Sequence, residues 1–360
     1  MKLLIQPGDG PEALLAGIRN AKKSIEIAIF RFDRAEIEAG LKAAVGRGVT
    51  VSALIAYTNR GGEINLRKLE MRLLAVGVAV SRTADDLVRY HDKLLIIDRR
   101  LLFVLSFNFT HLDIDHSRGF GIVTRNARLI QEAVKLFEAD TTRNPYTPTL
   151  DTFVVSPANA RKVLAAFIRK AKKELLIYDP KIADAEMLRA LSERTKAGVE
   201  IKVIGRVGKQ NPGLEVRNLA KLRLHTRTII RDRRQAFVGS QSLRLAELDS
   251  RREVGVIVRE PKVVNGLIKT FETDWAVSAV GENQQQSEAN LKDIKKGVKE
   301  LVKELSPLNP IVKEALKEAA SEAGSASLNM QEVKETVKEA VKEAVQERVD
   351  ELVKESLEQS

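Results

Sequence analysis

One stretch of sequence occurs twice in this chain and decides its fold. Residues 91–98 read HDKLLIID and residues 225–232 read HTRTIIRD, so histidine, a basic residue and aspartate recur at one spacing, 134 residues apart. The flanks match without a gap, because Phe103, Ser106, Arg118 and Gly121 are in register with Phe237, Ser240, Arg252 and Gly255. Histidine is the side chain best suited to exchange protons near neutral pH, so the duplication predicts a paired site.

The repeat extends upstream of the two motifs, where its spacing changes. Residues 18–27 resemble residues 168–177, and the match continues to position 51 at an offset of 150. Since the motifs are offset by 134, the first copy has 16 additional residues before His91. We predict that the insertion consists of a turn at Asn59–Gly62 and a charged helix after it.

Predicted helices and strands alternate in both copies. In the first copy, helical spacing of apolar residues at 11–23 and 34–46 alternates with apolar runs at Ile25–Phe30 and Val49–Ala56. The motif adds two strands on either side of a turn at Arg99-Arg100. This alternation is typical of an α/β fold with a largely buried sheet.

We expect three parts along the chain. Turn-forming residues at 141–148 predict a linker, so the repeats would occupy residues 1–145 and 150–278. Residues 281–360 begin with a Gln-rich stretch and continue with amphipathic segments whose remaining faces carry Lys-Glu pairs. They predict a charged helical tail or small bundle through which the chain self-associates. The alternative is partial disorder.

Composition limits both the class of function and the compartment. The net charge of +11 divides into −5 over residues 281–360 and +16 over the rest of the chain. A basic body attracts polyanions such as nucleic acid, anionic lipid surfaces and phosphorylated metabolites. The chain has no cysteine, which excludes disulfides and thiolate metal sites. No apolar run approaches the ~20 residues of a membrane span, so we expect a cytoplasmic protein with peripheral contact to anionic membranes at most.

The spacing within each motif predicts which side chains act together. If His91 and Lys93 share a strand, alternation puts both on one face, and Asp98 can orient the imidazole or the ammonium group. Ser106 and Asn108 share a face of the next strand and can donate hydrogen bonds to phosphate oxygens. A pseudo-twofold axis between the copies would give a pocket with two imidazoles, two cations and no metal-ligand set.

The doubled motif resembles that of the phospholipase D superfamily, and the resemblance covers residues 1–278. It implies two tandem α/β/α sandwich repeats related by a pseudo-twofold axis, followed here by an all-α segment. It also implies a phosphodiesterase, either a hydrolase or a phosphatidyltransferase, that works through a phosphohistidine without a metal or cofactor. One histidine would attack phosphorus while the other protonates the leaving oxygen.

The motif positions give a set of predicted site residues. The predicted catalytic residues are His91, Lys93, Asp98, His225, Arg227 and Asp232. The predicted substrate-binding residues are Ser106, Asn108, Ser240, Ser242 and Glu253. Four positions depart from the family pattern: Leu105 replaces a glycine, Arg227 a lysine and Ser242 an asparagine, while Gly119 is the counterpart of Glu253.

Three functions are compatible with this pattern. We favour a phosphodiesterase acting on phospholipid headgroups, because one chain carries both motifs, as in the lipid-acting branch. His91 would be the nucleophile, since its motif keeps the lysine, and His225 the acid. The alternatives are a nuclease or nucleic-acid end-processing enzyme, and a non-catalytic member that binds polyanions or serves in assembly.

Two groups of residues near the first motif have more than one interpretation. We interpret one as a polar loop at the pocket mouth, with a metal site as the alternative: His111, Asp113, Asp115 and His116. The other could form an apolar loop that contacts a membrane, with a place in the core as the alternative: Phe107, Phe109 and Phe120.

Overall fold

Two mixed β-sheets, one built mainly from each half of the chain, form the framework of the protein. The computed structural model describes residues 1–57, 63–208 and 213–280. The predicted tail at 281–360 and the predicted turn at Asn59–Gly62 lie outside the described residues. We call the elements up to α5 the first half and those from β9 onward the second half.

The first half contains eight strands and five helices among its described residues. In chain order they are β1 (Lys2–Gln6), α1 (Glu12–Asn20), β2 (Ser24–Ala28), α2 (Ala35–Gly46), β3 (Thr50–Ile55), α3 (Glu63–Ala75), β4 (Ala79–Arg82), β5 (Arg89–Tyr90), β6 (Leu94–Ile97), β7 (Leu101–Leu105), α4 (His111–Asp115), β8 (Ser117–Thr124) and α5 (Ala127–Thr142).

The second half repeats this order without a counterpart of α3. Its described elements are β9 (Phe153–Ser156), α6 (Ala160–Arg169), β10 (Glu174–Ile182), α7 (Ala185–Lys196), β11 (Glu200–Val207), β12 (Leu214–Asn218), β13 (Arg223–Leu224), β14 (Arg227–Arg231), β15 (Gln235–Gly239), α8 (Leu245–Asp249), β16 (Arg251–Val258), α9 (Pro261–Val277) and β17 (Ala279–Val280). The predicted α/β fold with tandem repeats is confirmed.

Each sheet accepts one short strand from the other half. The first sheet has the order β1-β8-β7-β6-β2-β3-β4, and β13 of the second half pairs with β8. The second sheet has the order β17-β12-β11-β10-β14-β15-β16-β5, with β9 also on β16, so β5 of the first half lies at its edge. Both exchanged strands lead directly into a histidine motif.

The motif strands are apolar on both faces because both faces are buried. In β6, Leu94 and Ile96 face a core that also contains Leu176 and Ile230 of the second half. The alternate residues Leu95 and Ile97 face a separate core beneath α1 and α2. Full burial of each such side chain contributes about 1.5–3 kcal/mol. The shared core between the sheets makes the two halves depend on each other.

Two details of the sequence prediction have a structural outcome. The predicted helix of the insertion is confirmed as α3 (Glu63–Ala75), which has no counterpart among the described residues of the second half. The opening strands β1 and β9 were not predicted, because each has only four or five residues and is followed at once by proline, Pro7 or Pro157. Among the described residues, no helix is long and apolar enough to cross a membrane.

Two buried ion pairs connect the halves at equivalent positions. The guanidinium group of Arg118 donates hydrogen bonds of 2.8 and 2.9 Å to Asp274 in α9. Asp274 also accepts a bond of 2.7 Å from the Tyr178 hydroxyl. In the mirror arrangement, Arg252 donates a bond of 2.9 Å to Asp140 in α5. Each arginine therefore binds the long terminal helix of the other half.

We expect Asp274→Ala to lower the free energy of unfolding by about 3 kcal/mol, because it leaves the largely buried guanidinium of Arg118, whose side chain is 13% exposed, without its carboxylate partner. Glu272→Ala is the matched control, since it removes an exposed pair with Arg233 from the same helix and should cost about 0–1 kcal/mol. Urea unfolding of both variants measures the difference. Equal losses would show that the buried pair does not join the halves.

Candidate active site

His91 reaches the site on a segment that is hydrogen-bonded to the other half. Residues 91–93 lie between β5 and β6, so the condition that His91 and Lys93 share a strand is not met. Strand β5 pairs in parallel with β16, and the backbone N–H of His91 donates to the carbonyl of Arg252 at 2.8 Å. The second half therefore positions the backbone of the first histidine.

His225 is positioned by the mirror image of this arrangement. Strand β13 pairs in parallel with β8, in the same register as β5 with β16. The backbone N–H of His225 donates to the carbonyl of Arg118 at 3.1 Å. Each half thus supplies the edge strand to which the backbone of the other half's histidine is hydrogen-bonded.

A carboxylate from the second half fixes the ring of His91. Nδ1 lies 3.0 Å from Oε1 and 3.1 Å from Oε2 of Glu253, which is fully buried. Phe30 packs edge-on against the imidazole, with 5.0 Å between ring centroids. Because Nδ1 is occupied, Nε2 is the nitrogen left for a substrate. The prediction that Glu253 binds substrate is therefore corrected: its carboxylate binds His91.

A carboxylate of different origin lies beside His225. Oδ2 of Asp113, in the short helix α4, is 3.5 Å from Nδ1 of His225. Asp113 also accepts bonds from the backbone N–H and the side-chain amide of Asn108, at 2.8 and 2.7 Å, and from Arg223 at 2.7 Å. Asp113 was assigned only to a polar loop. One signal in the sequence could have indicated this role: Gly119 occupies the position of Glu253, so the first half needs another carboxylate to pair with His225.

The two motif cations make equivalent contacts despite their different chemistry. Lys93 donates to the carbonyl of His91 at 2.6 Å, and Arg227 donates to the carbonyl of His225 at 3.2 Å. Nε of Arg227 also donates to Oγ of Ser242 at 3.3 Å. The longer cation thus faces the shorter polar residue, so the replacement of lysine by arginine keeps the contact with histidine.

Burial and the motif cations keep both imidazoles neutral. Burial lowers the pKa of His91 well below its ordinary value, and the charges of Lys93 and Arg227 lower it further. Burial likewise lowers the pKa of His225, which the same two cations also lower, while the charge of Asp113 opposes them. Since each cation acts on both rings, the two motifs contribute to one electrostatic site.

The acidic and basic partners of the imidazoles are themselves perturbed. Burial lowers the pKa of the Lys93 ammonium to about 7, although Glu253 partly offsets this. Burial tends to raise the pKa of Asp113, but the charge that His225 carries when it is protonated, the charge of Arg223 and the hydrogen bonds from Asn108 outweigh it and hold that pKa well below its usual range. Asp113 therefore stays ionised beside His225.

Asp98 and Asp232 bind backbone amides, so the expectation that they orient an imidazole or a motif cation is wrong. Asp98 accepts hydrogen bonds of 2.6–3.0 Å from the backbone amides of residues 22–24. Asp232 accepts equivalent bonds of 2.7–3.1 Å from residues 172–174. Both begin tight hairpin turns with positive φ, 52° and 51°, which aspartate tolerates better than most residues.

The hydroxyls of Ser106 and Ser240 connect neighbouring strands. Oγ of Ser106 accepts from the backbone N–H of Phe120 at 2.9 Å. Oγ of Ser240 accepts from the backbone N–H of Val254 at 3.2 Å and contacts its carbonyl at 3.3 Å. Both serines thus have a backbone role, and substrate binding by either stays a prediction.

Leu105 belongs to the core rather than to a phosphate-binding surface. It is buried in the same cluster as Leu4 and Phe107, on the outer face of the first sheet. A Cβ atom on Gly121 would lie 2.6 Å from Cδ2 of Leu105, so Gly121 provides the space for this leucine. The departure at this position therefore affects core packing.

The polar loop of the first half does not gather into a metal site. Asp113 faces His225, whereas Asp115 binds Arg34 and lies 3.2 Å from Nδ1 of His111. Within residues 1–57, 63–208 and 213–280, no three histidine or acidic side chains are grouped closely enough to hold a metal ion.

Comparison with known proteins now identifies the family. A family model described as "Cardiolipin synthase, PLD-like domain" matches residues 14–141 and 164–275, one segment in each half. The chain belongs to the phospholipase D superfamily. Family membership confirms the resemblance of the doubled motif, and the phospholipase D-like repeats coincide with the two halves of the structure.

Relatives of this phospholipase D-like chain differ in how much of it they cover. The mitochondrial cardiolipin hydrolase of Danio rerio is 29% identical over 139 residues, which are 36% of this chain and 58% of that protein. Polyphosphate kinase from Porphyromonas gingivalis has a TM-score of 0.64 at 19% identity, over 76% of this chain and 50% of that one. Phosphatidylserine synthase from Haemophilus influenzae has a TM-score of 0.63 at 11% identity, over 84% and 94%. The two structural matches concern the fold alone.

We expect Asp98→Asn to lower the free energy of unfolding by about 1–2 kcal/mol and to leave the turnover number unchanged, because its carboxylate binds backbone amides. The folded-state pKa of Asp98 is lowered, so this stabilisation is present above about pH 4 and is lost as the pH falls below it. Urea unfolding at pH 7 and pH 3 measures the loss of stability and its pH dependence, and the turnover number is measured on the same variant. A large loss of turnover with unchanged stability would restore the catalytic role.

We expect the affinity for sulfate, whose charge is constant from pH 6 to 9, to fall as the pH rises through about 7. The Lys93 ammonium loses its charge there, and the fall should approach about tenfold per pH unit. Lys93→Arg is the control, because arginine stays protonated and its affinity should be flat between pH 7 and 9. Calorimetric titration measures both, and the same decline in the arginine variant would exclude Lys93 as its origin.

Proposed function

We propose that this protein is a metal-independent phosphodiesterase that cleaves or transfers phospholipid headgroups through a phosphohistidine intermediate. The observation that carries the proposal is a pair of imidazoles, His91 and His225, each with its Nδ1 beside a buried carboxylate of the other half. Lys93 and Arg227 act electrostatically on both rings. Nucleophile, proton donor and charge stabilisation are thus supplied by the chain's own side chains.

His91 is the nucleophile in this proposal. Its lowered pKa makes it a free base near neutral pH, and Glu253 holds its Nδ1–H, so the lone pair of Nε2 is available. Nε2 attacks phosphorus, a P–N bond forms and the P–O bond to the leaving group breaks. Lys93 and Arg227 stabilise the negative charge that develops on the phosphoryl oxygens.

His225 is the proton donor: it is neutral in the free site, and the charge of Asp113 favours the uptake of a proton from solvent at Nε2. An anionic phosphodiester adds to this effect when it binds. His225 gives its Nε2 proton to the leaving oxygen and becomes a base. It then takes a proton from water or an alcohol, whose oxygen attacks phosphorus and breaks the P–N bond, giving hydrolysis or transfer respectively.

The family match and the exposed side chains favour a lipid substrate over nucleic acid. The family model is described by cardiolipin synthase, and the Danio rerio relative is a cardiolipin hydrolase. Val88 and Leu245 are 41% and 63% exposed on segments that flank β16 beside the site. Nucleic acid binding uses stacking aromatics, and Tyr57 is the one exposed aromatic side chain in the described part of the chain.

The aromatic residues considered for a membrane loop do not serve that purpose. All three are fully buried, so the core interpretation is confirmed for Phe107, Phe109 and Phe120. An apolar contact with lipid would instead use aliphatic side chains such as Val88 and Leu245.

We expect turnover of phosphatidylglycerol or phosphatidylcholine in the presence of EDTA, and a loss of about 1,000-fold or more in His91→Ala. His111→Ala is the matched control, since that histidine is half exposed and bound to Asp115. Rapid quenching and mass spectrometry should locate a phospho-adduct on His91.

Other outcomes of the same assay decide between the alternatives. An adduct on His225 would reverse the two roles. Turnover of single-stranded DNA alone would favour the nuclease. No turnover of lipid, DNA or a bis-aryl phosphodiester would leave the non-catalytic, polyanion-binding class.

A further inference from the structure

The two halves differ at the one position from which a carboxylate should reach the second histidine. On β16, Glu253 directly follows Arg252, whose carbonyl accepts the N–H of His91. On β8, the residue that follows Arg118 is Gly119, which has no side chain. Because the two exchanged strands pair in the same register, a carboxylate at position 119 would face His225.

The space for that missing side chain is filled by Phe107. A Cβ atom on Gly119 would lie only 2.9 Å from Cδ1 of Phe107 and 3.2 Å from its Cβ. The counterpart of Phe107 in the second half is Gln241, which donates to the carbonyl of Val154 at 3.0 Å and coexists with Glu253. Phenylalanine at 107 and an acidic residue at 119 are therefore incompatible without rearrangement.

Asp113 approaches the same ring nitrogen from another element. It lies in α4, where Thr110 accepts the N–H of Asp113 at 3.2 Å, and its side chain is 4% exposed. Its counterpart in α8 is Glu247, which binds Arg244 and Arg251. The acid in the short helix thus contacts arginines in the second half, but both an arginine and a histidine in the first.

We propose that Asp113 is the positioning residue for His225. It takes the role that a carboxylate on β8 would have, because Gly119 provides no side chain there and Phe107 fills the space. This inference rests on the proposed function for its catalytic consequence. The carboxylate of Asp113, 3.5 Å from Nδ1 of His225, favours a proton on that nitrogen, so that Nε2 is left to take up and release the proton that goes to the leaving oxygen. Arg223 and Asn108 keep the carboxylate ionised and fixed in direction. The two histidines therefore have different supports and fixed roles.

The first test requires no turnover. The chain has four histidines, so the full-length protein with ¹⁵N-labelled histidine gives a spectrum in which each ring can be assigned. We expect the Nδ1–H tautomer for His225 in the native protein and its loss in Asp113→Ala, while His91 stays unchanged and reports a folded site. Asp115→Asn is the control and should alter neither ring. An unaltered His225 in Asp113→Ala would overturn the proposal.

The second test moves the carboxylate to the place it has in the other half. Phe107→Gln with Gly119→Glu, added to Asp113→Ala, recreates the pair Gln241 and Glu253, with the carbonyl of Leu4 as the acceptor for the new glutamine. We expect the His225 tautomer to return. The folding control is Phe107→Gln with Gly119→Glu in a protein that keeps Asp113, which should show a native thermal transition. If this control folds and the His225 tautomer still does not return in the triple variant, the result counts against the proposal.

The third test separates proton donation from general damage. Asp113→Asn should reduce kcat/KM about 100-fold or more for an alkyl phosphodiester and less than about tenfold for a p-nitrophenyl diester, whose leaving group needs no proton. Equal losses for both substrates would mean a merely structural role. If the native protein turns over neither diester while the tautomer shifts as expected, the proposed function fails and the pairing of Asp113 with His225 stands.

Discussion

The backbone hydrogen bonds of the two motif histidines to the opposite half are the constraint on which the site depends. The N–H of His91 donates to Arg252 and that of His225 donates to Arg118, each on the last strand of the other half's motif. A buried N–H must be paired, so these bonds fix the depth and direction of both rings. Neither half can build its own site, because each histidine segment is completed by a strand that the other half supplies.

The same two arginines connect the site to the stability of the fold. The carbonyl of Arg118 accepts a hydrogen bond from His225, and its guanidinium group binds Asp274. In the same way, the carbonyl of Arg252 accepts from His91 and its guanidinium group binds Asp140. Rotation of one half against the other would break a buried ion pair and displace a histidine together. The packing between the sheets thus limits the relative movement of the two rings, as the proposed pairing of a nucleophile with a proton donor requires.

The sequence predicted the alternation of helices and strands, the doubled motif and the insertion, because these depend on local spacing that repeats. It placed Asp98 beside the imidazole or the ammonium group and Glu253 at the substrate, whereas Asp98 binds backbone amides and Glu253 binds His91. The partner of a carboxylate is set by contacts over long sequence distances: 76 residues separate Asp98 from Lys22, and 162 separate Glu253 from His91. Asp113 was missed for the same reason, since nothing local distinguishes it from Asp115.

The departures from twofold symmetry favour the catalytic interpretation, because each is matched by a second change that preserves the site. Arg227 is longer than its counterpart lysine, and Ser242 beside it is shorter than its counterpart asparagine. Gly119 provides no carboxylate for His225, and Asp113 places one 3.5 Å from Nδ1 of that ring instead. A scaffold that only bound polyanions would need the cations but not a carboxylate on each Nδ1. Two buried carboxylates lower the affinity for an anion, whereas the proposed proton and phosphoryl transfer would require imidazoles that are oriented in this way.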